Sequence, residues 1–239
     1  MSDGIYTTLT RQSGLMREMS MVANNIANAS TTGYRAEGLI FSEHVKDLGE
    51  GQPSLSMATG NGHVTRSVQG ALSQTNGTYD LAIEGDGFFQ VEGPEGEIQL
   101  TRAGAFLPND AGDLVTPEGL RVLDAGGAPI FIPPDVSDVH ISSDGTLSAD
   151  GRLLAQIGLV MPEDINSLDR TNGVSFTTDG ALGPVENGRV LQGFLEGSNV
   201  DAVSEISRMI QVQHAYQMGQ GFMEREDERM RSVTQLIGR

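Results

Sequence analysis

Apolar residues recur at alternating steps of four and three at both ends of this chain, and the rhythm breaks off between them. The first segment gives Ile5, Leu9, Gln12, Met16, Met19, Ala23 and Ile26, a heptad-like seam with one polar interruption. No proline occurs before Pro53, so the pattern predicts a helix over about residues 4–27. It fades into Asn28-Ala29-Ser30-Thr31-Thr32-Gly33, whose short polar side chains bond locally to backbone and end helices. The last segment gives Met209, Val212, Tyr216, Gly219, Met223, Glu226, Met230, Val233 and Ile237, with Val203, Ile206 and Ile210 on an adjacent stripe. Ser198 is the predicted N-cap of this second helix.

Two helices with several apolar stripes can satisfy one another in a hairpin, or they can pair and still leave a face for other molecules. The second arrangement is expected here, because the apolar stripes exceed what one coiled-coil-like seam covers. Met16, Met19, Met21, Met209, Met218, Met223 and Met230 all fall in the two helical segments. Methionine adapts to irregular neighbours, although it also serves as ordinary core filler.

The middle has another texture. Leu81-Ala82-Ile83, Phe88-Phe89-Gln90-Val91, Val139-His140-Ile141 and Leu154–Val160 alternate with turns such as Gly85-Asp86-Gly87, Asp144-Gly145 and Asp179-Gly180. Short apolar runs between Gly/Asp turns predict an all-β module. The expected class is α + β: long N- and C-terminal helices packed as a coiled-coil-like pair, an all-β central domain and an extended connector. Boundaries fall at 1–34 for the first helix and its turn, 35–77 for the polar, glycine-rich connector with some strand content, 78–195 for the β domain and 196–239 for the last helix. Charge follows the same division. The net charge is −17, and residues 71–195 hold 19 acids against 5 arginines while residues 1–40 are neutral. An acidic middle repels its own copies, whereas near-neutral ends can pack densely.

Most chemistry is excluded by composition. The chain has no cysteine, so it has no thiolate ligand or nucleophile. His44, His63, His140 and His214 stand far apart without zinc-ligand spacing, and Lys46 is the only lysine. Asn109-Asp110-Ala111-Gly112-Asp113 lacks the full ligand spacing and closing glutamate of a calcium loop. Acid pairs such as Asp110/Asp113 are what a glycosidase would need, but among 32 acids close pairs arise by chance. No cofactor, metal or catalytic residue is assigned. The acidic balance argues against nucleic acid, no run reaches about 18 apolar residues to insert in a membrane, and Met1-Ser2-Asp3-Gly4 does not open a cleavable signal peptide.

Three stretches resemble a known family. Ala23-Asn24-Asn25-Ile26-Ala27-Asn28-Ala29-Ser30-Thr31-Thr32-Gly33-Tyr34-Arg35 is similar to the segment after the first helix of flagellar rod and hook proteins. Leu81-Ala82-Ile83-Glu84-Gly85-Asp86-Gly87-Phe88-Phe89 is similar to the start of their β module. Leu195-Glu196-Gly197-Ser198-Asn199-Val200 is similar to their entry into the last helix. The order is that of the family and the likeness spans the chain. Length and Tyr34-Arg35-Ala36-Glu37 look more like members of the proximal rod than of the distal rod. The charged run Glu224–Arg229 departs from the family.

The resemblance implies a non-enzymatic structural subunit of the basal-body rod in the periplasm, exported without a cleaved signal through the flagellar export apparatus. It implies other rod subunits and copies of the chain itself as partners. Subunit contacts are then expected at Ile5, Leu9, Met16, Met19, Ala23 and Ile26, with Asn24, Asn25 and Asn28 beside them. On the last helix they are expected at Val203, Ile206, Met209, Ile210, Val212, Tyr216, Met223, Met230, Val233 and Ile237. The rival classes are a peptidoglycan-acting enzyme and a secreted β-rich binding module.

Overall fold

A computed structural model describes residues 2–46, 55–185 and 187–237; the side chains of 2–7, 40–63, 233–234 and 236–237 lie outside the description. The chain divides into two compact units, one of Met1–Ala27, Glu37–Val64 and Asp201–Arg239, the other of Asn28–Ala36 and Thr65–Val200.

In the first unit, helix α1 spans Ser2–Ala27 and helix α2 spans Ala202–Ile237. They run antiparallel, a register set by three contacts. Asn25 Nδ2 donates to Glu205 Oε2 at 3.4 Å, Arg208 Nε to Glu18 Oε1 at 2.6 Å, and Gln12 Nε2 to the Tyr216 carbonyl at 2.9 Å. Met21, Val22 and Val212 are buried alongside them. Gly219 makes room for Gln12, since a Cβ there would stand 2.2 Å from Gln12 Nε2. Asp201, rather than the expected Ser198, caps α2: its Oδ1 accepts from the Val203 and Ser204 amides at 3.0 and 3.2 Å. The side chain of Ser198 accepts from the Val200 amide instead, because the helix begins at Ala202, four residues downstream.

Two parts of the expected fold class are corrected. The helices pack, but not through the coiled-coil-like seam read from α1. Leu9, Met16 and Ala23 of that seam point to solvent and Met19 and Ile26 are half-buried; its polar member Gln12 faces inward, together with Glu18, Met21, Val22 and Asn25 from outside the seam. The polar and ionic contacts of Gln12, Glu18 and Asn25 turn α1 onto a stripe that apolar periodicity alone does not select. The connector is not extended either: strands Glu37–Lys46 and Leu55–Thr65 pair into a two-stranded sheet. The alternation Leu39, Phe41, Val45 and Leu55, Met57, Thr59 is the period-two signal of such strands. Asn25 joins this sheet to α1, donating to the Glu37 carbonyl at 2.9 Å and accepting from the Glu37 amide at 3.0 Å.

The second unit is β throughout its regular structure apart from one short 3-10 turn, Ile165–Ser167, among the described residues. Its largest sheet runs in the order Leu168–Asn172, Ser175–Thr178, Ile98–Thr101, Phe88–Glu92, Arg121–Val122, Leu114–Val115, Leu107–Pro108. Strand Phe88–Glu92 lies between two cores. Phe89 and Val91 enter a cluster with Leu81, Ile83, Phe106 and Leu114, whereas Phe88 enters one with Leu100, Leu168 and Phe176. Successive side chains of a strand point to opposite faces, so the unbroken apolar run Phe88-Phe89 is what a strand covered on both sides requires. Edge-on ring pairs fix each cluster, Phe89 with Phe106 at 5.3 Å and Phe88 with Phe176 at 6.1 Å.

Candidate assembly faces and a buried arginine junction

The helical unit leaves much of its apolar surface uncovered. Val203, Ile206 and Ile210 form one exposed stripe on α2, with Val203 74% exposed; Met218 (69%) and Phe222 lie on another side of the helix. Leu9 and Met16 of α1 are exposed as well. Of the other residues expected at subunit contacts, Ala23, Asn24 and Met230 are exposed. Met19, Ile26, Asn28, Met209, Tyr216 and Met223 are half-buried. Asn25 and Val212 are buried within the helix pair. The side chains of Ile5, Val233 and Ile237 lie outside the described residues.

The β unit holds the part of the first likeness segment from Asn28 onward and the whole of the other two, and there they meet. Glu196 is buried and binds two arginines: Arg35 Nη2 at 2.8 Å from Oε1 and Arg102 Nη1 at 3.1 Å from Oε2. Its Oε1 also accepts from the Gly70 amide at 2.9 Å, and its carbonyl accepts from the Gly33 amide at 2.7 Å. The arginines are spent on backbone too. Arg35 donates to the Ser67 and Val68 carbonyls, and Arg102 donates to the Gly85 carbonyl at 2.8 Å. Burial pushes the Arg35 guanidinium down to about 10 against the opposing pull of Glu196, and burial lowers Arg102 against the same partner. Arg35 therefore remains charged at neutral pH.

Further contacts close the junction. Asn199 Oδ1 accepts from the Ala36 amide at 2.6 Å, while its Nδ2 donates to the Arg66 and Val68 carbonyls at 3.1 and 2.8 Å. The Arg170 guanidinium lies between the Tyr34 and Phe176 rings at 4.5 and 4.6 Å and donates to the Arg35 carbonyl at 2.5 Å. Gly33 has φ +69, and a Cβ on it would stand 2.2 Å from the Ala103 amide nitrogen; only glycine fits that crossing. The motifs are thus the tie between residues 28–36, which follow α1 in the chain, and residues 196–200, which precede α2.

Arg35 and Glu196 were visible in the sequence as motif members but not as a pair, and Arg102 and Arg170 were not singled out. The signal was scarcity: five arginines among 19 acids over residues 71–195 means that each has many available partners, and a buried one must have been selected. No group of His, Asp and Glu arranged to hold a metal occurs among the described residues. His140 and His214 are exposed, and no described helix is long and apolar enough to cross a membrane.

Comparison with known proteins accords with this geometry. Three family models match in order: "Flagella basal body rod protein" over residues 5–35, "Flagellar hook protein FlgE/F/G D1 domain" over 82–149, and "Flagellar basal body rod FlgEFG protein C-terminal" over 191–236. The flagellar basal-body rod protein FlgF of Caulobacter vibrioides is 39% identical over 245 residues, covering 100% of this chain and 99% of that protein. FlgF of Mesorhizobium japonicum is 36% identical over 220 residues, 91% of this chain and 90% of its own. The rod protein FlgG of Agrobacterium fabrum is 33% identical over 239 residues, 88% and 90% of the two chains. Likeness from end to end, carried by the segments that build the junction, makes this chain a member of the flagellar basal-body rod protein family, a structural subunit of the rod.

Proposed function

We propose that this subunit occupies the proximal rod and polymerises there through its terminal helices, with copies of itself and with homologous rod subunits. The observation that carries the reading is the exposed apolar surface of the helix pair: Leu9, Met16, Val203, Ile206, Ile210, Met218 and Phe222 are left between 40% and 74% exposed. Exposed apolar patches of that extent mark sites of association. Higher identity to the two FlgF proteins, at 39% and 36%, than to the FlgG protein, at 33%, favours the proximal position.

In this reading the helices form the wall of a periplasmic tube, and the subunit reaches its place through the flagellar export apparatus. Its work is mechanical. Torque passes along interlocked helices, later subunits travel through the channel they enclose, and no bond is made or broken. The buried junction suits that load, since ion pairs and glycine crossings fix the chain on both sides of the β unit.

An in-frame deletion strain viewed by electron microscopy is the test. Loss of complete rods, hooks and filaments is the expected result, with the tagged subunit located at the membrane-proximal end of basal bodies from complemented cells. Normal basal bodies in the deletion strain overturn the reading, and a tag at the distal end overturns the proximal assignment.

A further inference from the structure

Strand Phe88–Glu92 carries one uncharged polar residue inside its apolar run, and that residue faces a cleft in the β unit. Gln90 shares a face of the strand with Phe88, since alternate residues point the same way. It is 7% exposed, and no hydrogen bond holds its side-chain amide among the described residues. Other glutamines of the unit are spent differently. Gln69 donates to the Ile83 carbonyl and accepts from the Gly85 amide, and Gln192 donates to the Thr78 and Val139 carbonyls and accepts from the Ile141 amide. A buried donor and acceptor left without partners cost free energy, so the Gln90 amide calls for a group that brings both.

The cleft exists because the sheet forks at this residue. Phe88 and Phe89 pair with Val160 and Leu159, whereas Val91 and Glu92 pair with Val122 and Arg121. Beyond Leu159 the neighbouring strand turns away, and Ile157 bridges to Asp124 instead. Gly158 sits in the fork, where a Cβ would stand 2.8 Å from Ala125 Cα and 2.9 Å from Gln90 Nε2; its bareness gives the amide room. The space amounts to about 380 Å³. Ligand sites run from about 300 to 1,000 Å³, and one water takes about 30 Å³, so the cleft is sized for a ligand.

Its lining says which kind. Val160, Leu182, Pro184 and Val185 make an aliphatic wall, and no aromatic ring is among the described lining residues to give a sugar a flat platform. A primary amide sets donor and acceptor side by side, the complement of the carbonyl and N–H along an extended peptide. Asp144 also lines the cleft, its Oδ1 fixed by the Ser142 hydroxyl at 2.6 Å and the Thr146 amide at 3.0 Å. With 19 acids against 5 arginines over residues 71–195, the surrounding field attracts cations.

We infer that the cleft at Gln90 binds an extended peptide segment of another protein, one that carries a basic side chain. The Gln90 amide pairs with a peptide group of that segment, alkyl side chains lie on Val160, Leu182 and Val185, and the basic group meets Asp144. Every residue involved belongs to the β unit, and the inference stands whichever position in the rod the subunit takes.

The test uses the full chain, isotope-labelled for NMR. It is titrated with acetylated, amidated pentapeptides of alanine and valine, one with a central arginine and one with a central glutamate, and with chitotetraose. The Gln90 side-chain amide and the backbone amides of Gly158 and Gly183 are followed. The expected result is saturable shifts at all three with the arginine peptide, and binding about fivefold weaker with the glutamate peptide. Gln90→Leu, read at the two glycines, weakens the arginine peptide by about tenfold or more. The inference is overturned if the arginine peptide shifts none of the three, if it binds Gln90→Leu as tightly as the parent, if the glutamate peptide binds equally well, or if chitotetraose moves these resonances and the peptides do not. Should Gln90→Leu fail to fold, Pro184→Arg places bulk and like charge at an exposed position on the wall; the same loss is expected there, and retained binding overturns the inference equally.

Discussion

Replacing Glu196 by alanine removes one carboxylate from between two arginines that have almost no water. Arg35 is 2% exposed and Arg102 is 4% exposed, and Glu196 meets them at 2.8 and 3.1 Å. Breaking a buried ion pair by deleting one partner costs about 3–5 kcal/mol, because the other charge stays buried without compensation. Here two charges are stranded, and the Gly70 amide loses its acceptor, so the upper part of that range applies. For a urea m-value of about 2 kcal/mol per M, the midpoint for the β unit falls by roughly 2–2.5 M. The full chain has no tryptophan, so unfolding is followed by amide exchange of strand Phe88–Glu92 across a urea series.

Controls separate charge from packing. Arg35→Ala leaves Glu196 with Arg102, and Arg102→Ala leaves it with Arg35, so each costs less than Glu196→Ala. The triple variant Arg35→Met, Arg102→Met, Glu196→Leu removes all three charges together and recovers most of the lost stability, as apolar replacements of buried ion networks often do. A Glu196→Ala midpoint within 0.5 M of the parent, or a triple variant no better than Glu196→Ala, refutes the electrostatic account of the junction.

Three further outcomes follow from the geometry. Gly33→Ala combines a left-handed backbone, itself worth about 1–3 kcal/mol of strain, with a collision against Ala103; soluble chain with an intact β unit by amide exchange would contradict it. Arg170→Lys replaces a flat guanidinium held between Tyr34 and Phe176 with a point charge that cannot stack on both rings. It is expected to cost about 1–2 kcal/mol by urea denaturation. The carboxyl of Asp201 is held below the usual aspartate range, first by the Ser204 backbone amide, then by the Ser204 hydroxyl and the Val203 amide. A lowered carboxylate stabilises above its unfolded value, near pH 4, and loses that contribution as pH falls through its folded value. Protection of the first turn of α2 against amide exchange, taken relative to the intrinsic rate at each pH, therefore falls on acidification below about pH 4, and Asp201→Asn flattens that dependence.

The β module was legible because turn chemistry is local: Gly85-Asp86-Gly87 and Asp144-Gly145 announce reverse turns without reference to anything distant. The helices were legible for a similar reason. What failed was the choice of face on α1. Leu9 and Met16 satisfy an apolar rhythm, but Gln12, Glu18 and Asn25 each find a specific polar partner on α2 or on Glu37, and partners cannot be read from periodicity. In the connector some strand content was legible but the pairing of 37–46 with 55–65 was not, since glycine and polar residues mask a period-two pattern whose pairing depends on the second strand.

Apolar faces and polar junction divide the work of the chain between them. Had the α1 helix turned its Leu9–Met16 stripe inward, the pair would have gained a drier seam and lost surface for neighbours. The contacts of Gln12, Glu18 and Asn25 hold it the other way, so polar specificity inside the unit is what keeps apolar residues outside. The same division governs the β unit, where Glu196, Arg35 and Asn199 spend charge and hydrogen bonds on tying two chain segments rather than on a ligand. On the proposed reading, a subunit that meets its neighbours through the exposed apolar residues of its helices needs that pair fixed by directional contacts, because those non-directional ones are then left for its neighbours.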